Sequence, residues 1–181
     1  MKLNAQKPRN FINQLLSRKG VDAEKFNTFK LALAHYKKSL ADQISTKQTE
    51  PNIVTNSLKP FLDGFGYQSE PYSQKGQISI DLAVMQNLKP SVIIEAKMPN
   101  SADMIVAHDL NKRAFQQAIM YFMNERAKDN KALFHIIVTD FNNWFVFDAK
   151  DFDRHFWQNK MVKKVYDTFN NPSLLGGDKT I

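Results

Sequence analysis

The sequence predicts an α+β domain, a mixed β-sheet flanked by helices, with a helical extension ahead of it. Three observations carry this reading. Two apolar runs of strand length, residues 80–84 and 92–96, flank a short polar break. A second pair, ALFHIIVTD (132–140) and WFVFDA (144–149), flanks Phe141-Asn142-Asn143. Between and before these pairs lie stretches with apolar residues three and four apart, the spacing of amphipathic helices. The order helices, strand pair, helix, strand pair is that of a mixed sheet with helices packed on it.

Residues 9–19 and 23–43 read as two helices separated by Gly20 and Val21, the second with Phe26, Phe29, Leu33, Tyr36 and Leu40 in one stripe. The polar segment STKQTEPN (45–52) marks a boundary. Residues 1–45 are therefore expected to form the helical extension, 46–170 the core and 171–181 a linker or tail. A third helix is expected from Pro51 to Leu62, turning Ile53, Val54, Leu58 and Phe61 inward and stopping at Gly64. The first strand pair reads as a hairpin whose loop is the five residues Gln86 to Pro90. After a polar loop around 99–107, a helix is expected from Asp109 to Arg126. Asp109 is its N-cap, and Phe115, Ala118, Ile119 and Phe122 form its buried stripe. A short helix from Asp151 follows the second strand pair.

Composition bounds the partners. The chain has 181 residues, 43% of them apolar, enough for one real core. Lys and Arg outnumber Asp and Glu by 25 to 18, a net charge of +7 that favours polyanions, nucleic acid foremost, with simple solubility as the plainer alternative. With no cysteine, disulfides and thiolate zinc sites are excluded, and a reducing cytoplasm is the expected setting. No apolar run is long enough to span a bilayer, so no membrane partner is expected. There is no Gly-x-x-x-x-Gly-Lys phosphate loop, Gly-rich methyl-donor loop or nucleophile-elbow serine.

The chemistry concentrates in GQISIDLAVMQNLKPSVIIEAKMPN (76–100). Folding this stretch symmetrically about Leu88 pairs Ile80 with Ala96, Leu82 with Ile94 and Val84 with Val92 on one apolar side. Strand side chains alternate, so Asp81, Glu95 and Lys97 fall on the other side, with Asp81 opposite Glu95. Like charges placed there repel, and a divalent cation with Lys97 beside it offsets them. Carboxylate oxygens suit Mg²⁺, which takes a few carboxylates plus water and substrate phosphate. The plainer alternative is an exposed strand face carrying a Glu–Lys pair.

Asp, a hairpin, then Glu-x-Lys resembles the motif of the PD-(D/E)XK nuclease superfamily. Ile80, not proline, precedes Asp81. The wider similarity is to the amino-terminal nuclease domain of type IIG restriction–modification enzymes, which fuse cleavage and methylation. It rests on Thr49-Glu50, IDLAV (80–84), VIIEAKMPN (92–100), DLNKRAF (109–115) and WFVFDAKDF (144–152), and extends over most of the chain. The resemblance implies a restriction-endonuclease-like core and a Mg²⁺-dependent DNA endonuclease, with Mn²⁺ able to substitute. Asp81 and Glu95 would bind metal together with the Ala96 backbone carbonyl, while Lys97 assists the nucleophile. It also implies an extra metal ligand at Glu50, which reads equally as a first-turn residue favoured by the helix dipole. Gln117-Ala-Ile-Met-Tyr121 resembles the Gln-x-x-x-Tyr motif of the branch containing RecB-type and type I restriction nucleases. These two residues either orient the site or form a polar border on an amphipathic helix. Implied partners are double-stranded DNA, methyltransferase and target-recognition domains in the same polypeptide, and a second copy for double-strand cleavage.

Lys75, Lys112 and Arg113 flank the proposed site as phosphate contacts or plain solvated charge. Asn100 and Asn111 are expected to hold the loop after Lys97 through local backbone bonds. Phe141, Trp144, Phe145 and Phe147 are expected to pack in the core rather than stack on bases. The histidines at 35, 108, 135 and 155 show no metal-ligand spacing, and His135 is expected to be structural within a buried strand. Two rivals to the endonuclease remain: a repair-type exonuclease of the same superfamily, and a non-catalytic DNA-binding or assembly module.

Overall fold

The computed structural model describes residues 20, 22–74 and 79–171. The helix expected over 9–19, Lys75 and the tail from residue 172 lie outside the described residues. The chain divides into two compact units, residues 1–69 and 70–181, so the segment 46–69 groups with the helices before it.

In the first unit, α1 (Ala23–Ser45) starts at Asp22, whose carboxylate accepts the backbone N–H groups of Glu24 (3.0 Å) and Lys25 (3.2 Å). Its inward residues Tyr36 and Leu40 are buried, and Tyr36 stacks on Phe61 at 4.6 Å. The third helix is not one regular helix. It runs as α2 (Glu50–Ile53), a π turn (Val54–Leu58) and α3 (Lys59–Asp63), ending before Gly64 as expected. Pro60 is the reason for the break. It has no N–H for the carbonyl of Asn56 four residues earlier, and Ser39 Oγ supplies that donor instead, at 3.1 Å. The π turn keeps Ile53, Val54 and Leu58 on the buried side.

The second unit is built on a five-stranded sheet ordered β1 (Ser69–Ser73), β2 (Ser79–Gln86), β3 (Lys89–Ala96), β4 (His135–Thr139) and β5 (Trp144–Asp148). The β2–β3 and β4–β5 pairs are antiparallel, while β3 and β4 run parallel, so the sheet is mixed as the element order predicts. The parallel pair is joined by a crossover helix, α4 (Arg113–Ala127). Strand β1 escapes the sequence reading because Ser-Glu-Pro-Tyr-Ser has no apolar alternation; its proline suits the sheet edge where it lies.

The hairpin register is as predicted through its middle, with Leu82 opposite Ile94 and Val84 opposite Val92. Beyond Val84 it slips by one: Met85 faces Pro90 and Gln86 faces Lys89, leaving Ser91 as the extra residue of a bulge. Ser91 Oγ donates to the Val84 carbonyl at 3.0 Å. The expected five-residue loop is therefore a two-residue turn, Asn87-Leu88, with both residues at positive φ (50° and 62°). Both faces of the pair are buried, since Ala83 and Ile93 are as inaccessible as Leu82 and Ile94.

Helix α4 begins four residues later than expected. Lys112 occupies the N-cap position and makes no side-chain capping bond. Asp109 instead bridges to Val106 through two backbone hydrogen bonds, 3.0 and 3.1 Å, while its carboxylate accepts the Asn111 N–H at 3.0 Å. Phe115, Ala118 and Phe122 are buried as expected; Ile119 is only half-buried, whereas Tyr121 and Met123 are inside. The rings of Phe115, Phe147 and Phe152 lie 5.2–5.6 Å apart, which places Phe147 in the core. Phe141 is also buried, with Trp144 and Phe145 half-buried. His135 is exposed, contrary to expectation, because it opens β4 opposite the equally exposed Asp148.

After β5, Asp148 caps α5 (Ala149–Phe152), which starts two residues before the expected Asp151. A π turn (Asp153–Trp157) and an unexpected helix, α6 (Lys160–Asn170), follow; Asn159 caps α6 by accepting the N–H groups of Met161 and Val162. Glu125, fully buried near the end of α4, accepts from Gln74 (2.8 Å), Asn130 (3.0 Å) and Lys128 (3.1 Å). Asn130 Nδ2 also donates to the Pro90 carbonyl at 2.9 Å, tying the helix end to the hairpin. Among the described residues no helix is long and apolar enough to cross a membrane.

Leu88 is 94% exposed and sits in the left-handed conformation that favours glycine, so it gives up no packing when replaced. Leu88→Gly is expected to raise stability by about 0.5–1 kcal/mol, the relief of strain less the added freedom of the unfolded chain. Urea unfolding measures it, and a loss of stability would show that the Leu88 side chain contributes contacts.

Candidate functional site

Asp81, Glu95 and Lys97 meet at the end of the sheet where β2 begins and β3 and β4 finish, the end at which open α/β sheets place ligands. Extending the Leu82–Ile94 register one step puts Asp81 opposite Glu95. Asp81 is half-buried, and its Oδ2 accepts the Ala96 N–H at 2.8 Å, so a carboxylate occupies the ladder position beside Glu95. Glu95 is 1% exposed. The Lys97 N–H donates to the Thr139 carbonyl at 2.9 Å, which carries the β3–β4 pairing one residue past β3 and turns the Lys97 side chain to the Glu95 side. Lys97 Nζ then donates to Glu95 Oε1 and, at 2.9 Å, to the Ala96 carbonyl. The second carboxylate oxygen, Glu95 Oε2, is buried without a hydrogen-bond partner.

Helix α4 closes this face. Tyr121 Oη donates to the Ser79 carbonyl at 2.9 Å and fixes the start of β2. One turn earlier, Gln117 Oε1 is also buried without a partner. Arg113, Gln117 and Tyr121 stand at successive four-residue intervals, so one line of side chains runs from the exposed first turn of α4 down to the carboxylates. Arg113 heads that line. Lys112 instead pairs with Asp109 at 3.1 Å on the surface. Asn111 accepts from Gln116 Nε2 rather than holding backbone, and Asn100 lies at φ 64° in the loop after Lys97. Glu50 is the first residue of α2 in the other unit, as its first-turn reading predicts.

The electrostatics follow from burial. Glu95 is pushed up to about 8, first by loss of water and then by the Asp81 charge; the adjacent Lys97 ammonium acts the other way without cancelling them. Asp81 is raised too, by burial, against the Ala96 N–H and Lys97. Tyr121 is raised by burial and by the charges of Glu95 and Asp81. One ammonium thus leaves two carboxylates short of positive charge, and a retained proton or a further cation must supply the rest. Among the described residues no three His, Asp or Glu side chains gather into a metal cage. Mg²⁺ does not require one, since it is bound through one or two carboxylates with water and substrate phosphate completing the shell. The orphaned Glu95 Oε2, the Asp81 carboxylate and the Ala96 carbonyl form an all-oxygen set that fits such an ion.

A family model for a domain of unknown function, DUF7149, matches residues 6–181. The chain belongs to this DUF7149 family. No curated protein and no solved structure matches it. In this DUF7149 chain Asp81, Glu95, Lys97, Gln117 and Tyr121, all singled out by sequence, lie in one place. The Ser79 and Thr139 carbonyls that orient Tyr121 and Lys97 are not legible in sequence, because backbone acceptors leave no mark in residue identities.

A carboxyl raised on folding holds its proton more tightly when folded. Between its unfolded and folded values the native state binds more protons, so stability is greatest at low pH and falls as pH rises through that window. For Glu95 the window runs from 4.5 to about 8, and Asp81 shifts in the same sense. The wild-type chain is expected to lose stability across this range, and Glu95→Gln to remove roughly 2–4 kcal/mol of the loss. Denaturant unfolding in a pH series tests this; an equally steep variant curve would show that Glu95 titrates normally.

Proposed function

We propose that this chain is a Mg²⁺-dependent DNA endonuclease domain, with Mn²⁺ able to replace Mg²⁺, and that it forms the cleavage part of a larger restriction–modification enzyme. The observation that carries this reading is the convergence of Asp81 and Glu95, from neighbouring strands, with a buried and partnerless Glu95 Oε2 beside Lys97. The sequence resemblance to PD-(D/E)XK nucleases supports it, as does a mixed sheet whose hairpin bears Asp81 and Glu95, with Lys97 one residue past its second strand. The finer assignment, a restriction-endonuclease-like core, belongs to the same proposal.

Asp81 and Glu95 would hold the ion, with the Ala96 carbonyl in reach of the same place. Bound there, Mg²⁺ would polarise a phosphoryl oxygen and make a nucleophile available near neutral pH. Lys97 carries a positive charge to the phosphate as negative charge develops on it. Tyr121 holds the first residue of β2 in place, so that Asp81, two residues on, keeps its position opposite Glu95. Arg113, exposed at the start of α4, and the net charge of +7 suit a double-stranded DNA backbone approaching this end of the sheet. Methyltransferase and target-recognition domains would lie elsewhere in the polypeptide, the setting would be cytoplasmic, and double-strand cleavage would use two copies.

The second reading, a non-catalytic DNA-binding module, is favoured by one observation: Lys97 already closes on Glu95 and occupies the Ala96 carbonyl. Covalently closed circular DNA distinguishes the readings. The wild-type chain with Mg²⁺ is expected to nick or linearise it, and Glu95→Gln or Lys97→Met to lower the rate roughly a hundredfold or more. DNA binding with no Mg²⁺-dependent cleavage would favour the module, and cleavage only of DNA with ends would favour an exonuclease. Cleavage at wild-type rates by Glu95→Gln would end the site assignment.

A further inference from the structure

We infer that Lys97 is the internal counter-ion of this site, holding on Glu95 the position a divalent cation would take, so that cation loading and release of the Lys97 ammonium are a single event. The inference rests on the reading of Asp81 and Glu95 as a cation site and adds how that site is guarded. Its basis is contact geometry. Lys97 Nζ bonds Glu95 Oε1 and the Ala96 carbonyl, two of the three oxygen sources assigned to the ion. The third, Asp81, is engaged through Oδ2 by the Ala96 N–H. Glu95 Oε2 is buried without a partner, but Glu95 Oε1 and the Ala96 carbonyl, on which the ion would also draw, are taken by the ammonium.

Lys97 is 8% exposed and Glu95 1%, so there is little water to screen a second positive charge brought to the same carboxylate. An ammonium and a divalent ion on Glu95 together repel strongly at such burial. The lysine stem has four rotatable bonds, whereas the strand fixes the backbone of Glu95, so the ammonium is the group that moves. Once moved, it is a mobile cation beside a loaded site, suited to a phosphodiester. Linkage then runs both ways. A polyanion that draws Lys97 off Glu95 tightens cation binding, and the cation tightens polyanion binding by the same factor. An empty site with Lys97 in place is thereby protected from loading in the absence of substrate.

The test follows Lys97 itself. Mg²⁺ is titrated by calorimetry into the wild-type chain and into Lys97→Met, in buffer alkaline enough to ionise Glu95. The lysine side-chain resonances of the wild type are followed by NMR in parallel. Lys97→Met is expected to bind Mg²⁺ roughly tenfold more tightly or better, and the Lys97 resonances to shift with the wild-type binding midpoint. Equal affinities, or Lys97 resonances unmoved at saturating Mg²⁺, overturn the inference and leave the cation site standing. Absence of binding in both proteins overturns the cation site as well. The NMR arm needs only the wild type and decides the matter if the variant does not fold.

Discussion

The pairing of Leu82 with Ile94 is the constraint from which the site follows. With that register fixed, period-two alternation leaves no choice: Asp81 and Glu95 must face each other across two strands. A slip of one residue would exchange the buried apolar side chains for the charged ones, and the fully buried Ile80, Leu82 and Ile94 resist it. The one slip that does occur lies beyond Val84, on the turn side, where the Ser91 bulge absorbs it. The carboxylates are therefore positioned by the packing of the hydrocarbon side chains next to them in sequence, not by attraction between themselves.

Helix α4 does two separable things. Its middle presents Gln117 and Tyr121 to the carboxylates. Its last turn is fixed by a polar network with few unsatisfied groups. Glu125 binds Gln74, Asn130 and Lys128, and Arg126 forms a two-pronged pair with Asp153 at 2.7 and 2.9 Å. Buried polar groups of this kind are tolerable because each finds a partner. The contrast locates the chemistry: satisfied donors and acceptors at the far end of the helix, orphaned oxygens at the end near Glu95.

What the sequence made legible was what periodicity controls. The strand pairs, the inward Phe115, Ala118 and Phe122, and the face shared by Asp81, Glu95 and Lys97 follow from spacing, whereas the stripe expected from Phe26 to Leu40 is buried only at Tyr36 and Leu40, with Phe26 and Phe29 exposed. The turn was not legible, because Leu88 occupies a left-handed position where glycine is the usual signal. The start of α4 was misplaced because Asp109 looks like an N-cap, but its carboxylate instead serves the loop before the helix. Strand β1 owes its place to the sheet edge rather than to its own pattern. At the site, residue identity gave the groups but not their burial. That Glu95 is sealed from water, and that Lys97 reaches back to it rather than out to solvent, depends on how α4 packs over the strand face.

Tyr121 Oη donates to the Ser79 carbonyl at 2.9 Å and stands beside the Glu95 carboxyl. Glu95 Oε2 and Gln117 Oε1 are buried near that ring without partners, so this wall of the site is rich in oxygen lone pairs. Such a wall sorts visitors by sign before shape matters: it welcomes groups short of electrons and turns away bare anions. Positive charge stands on the side of Lys97 and of the first turn of α4, where Arg113 is exposed.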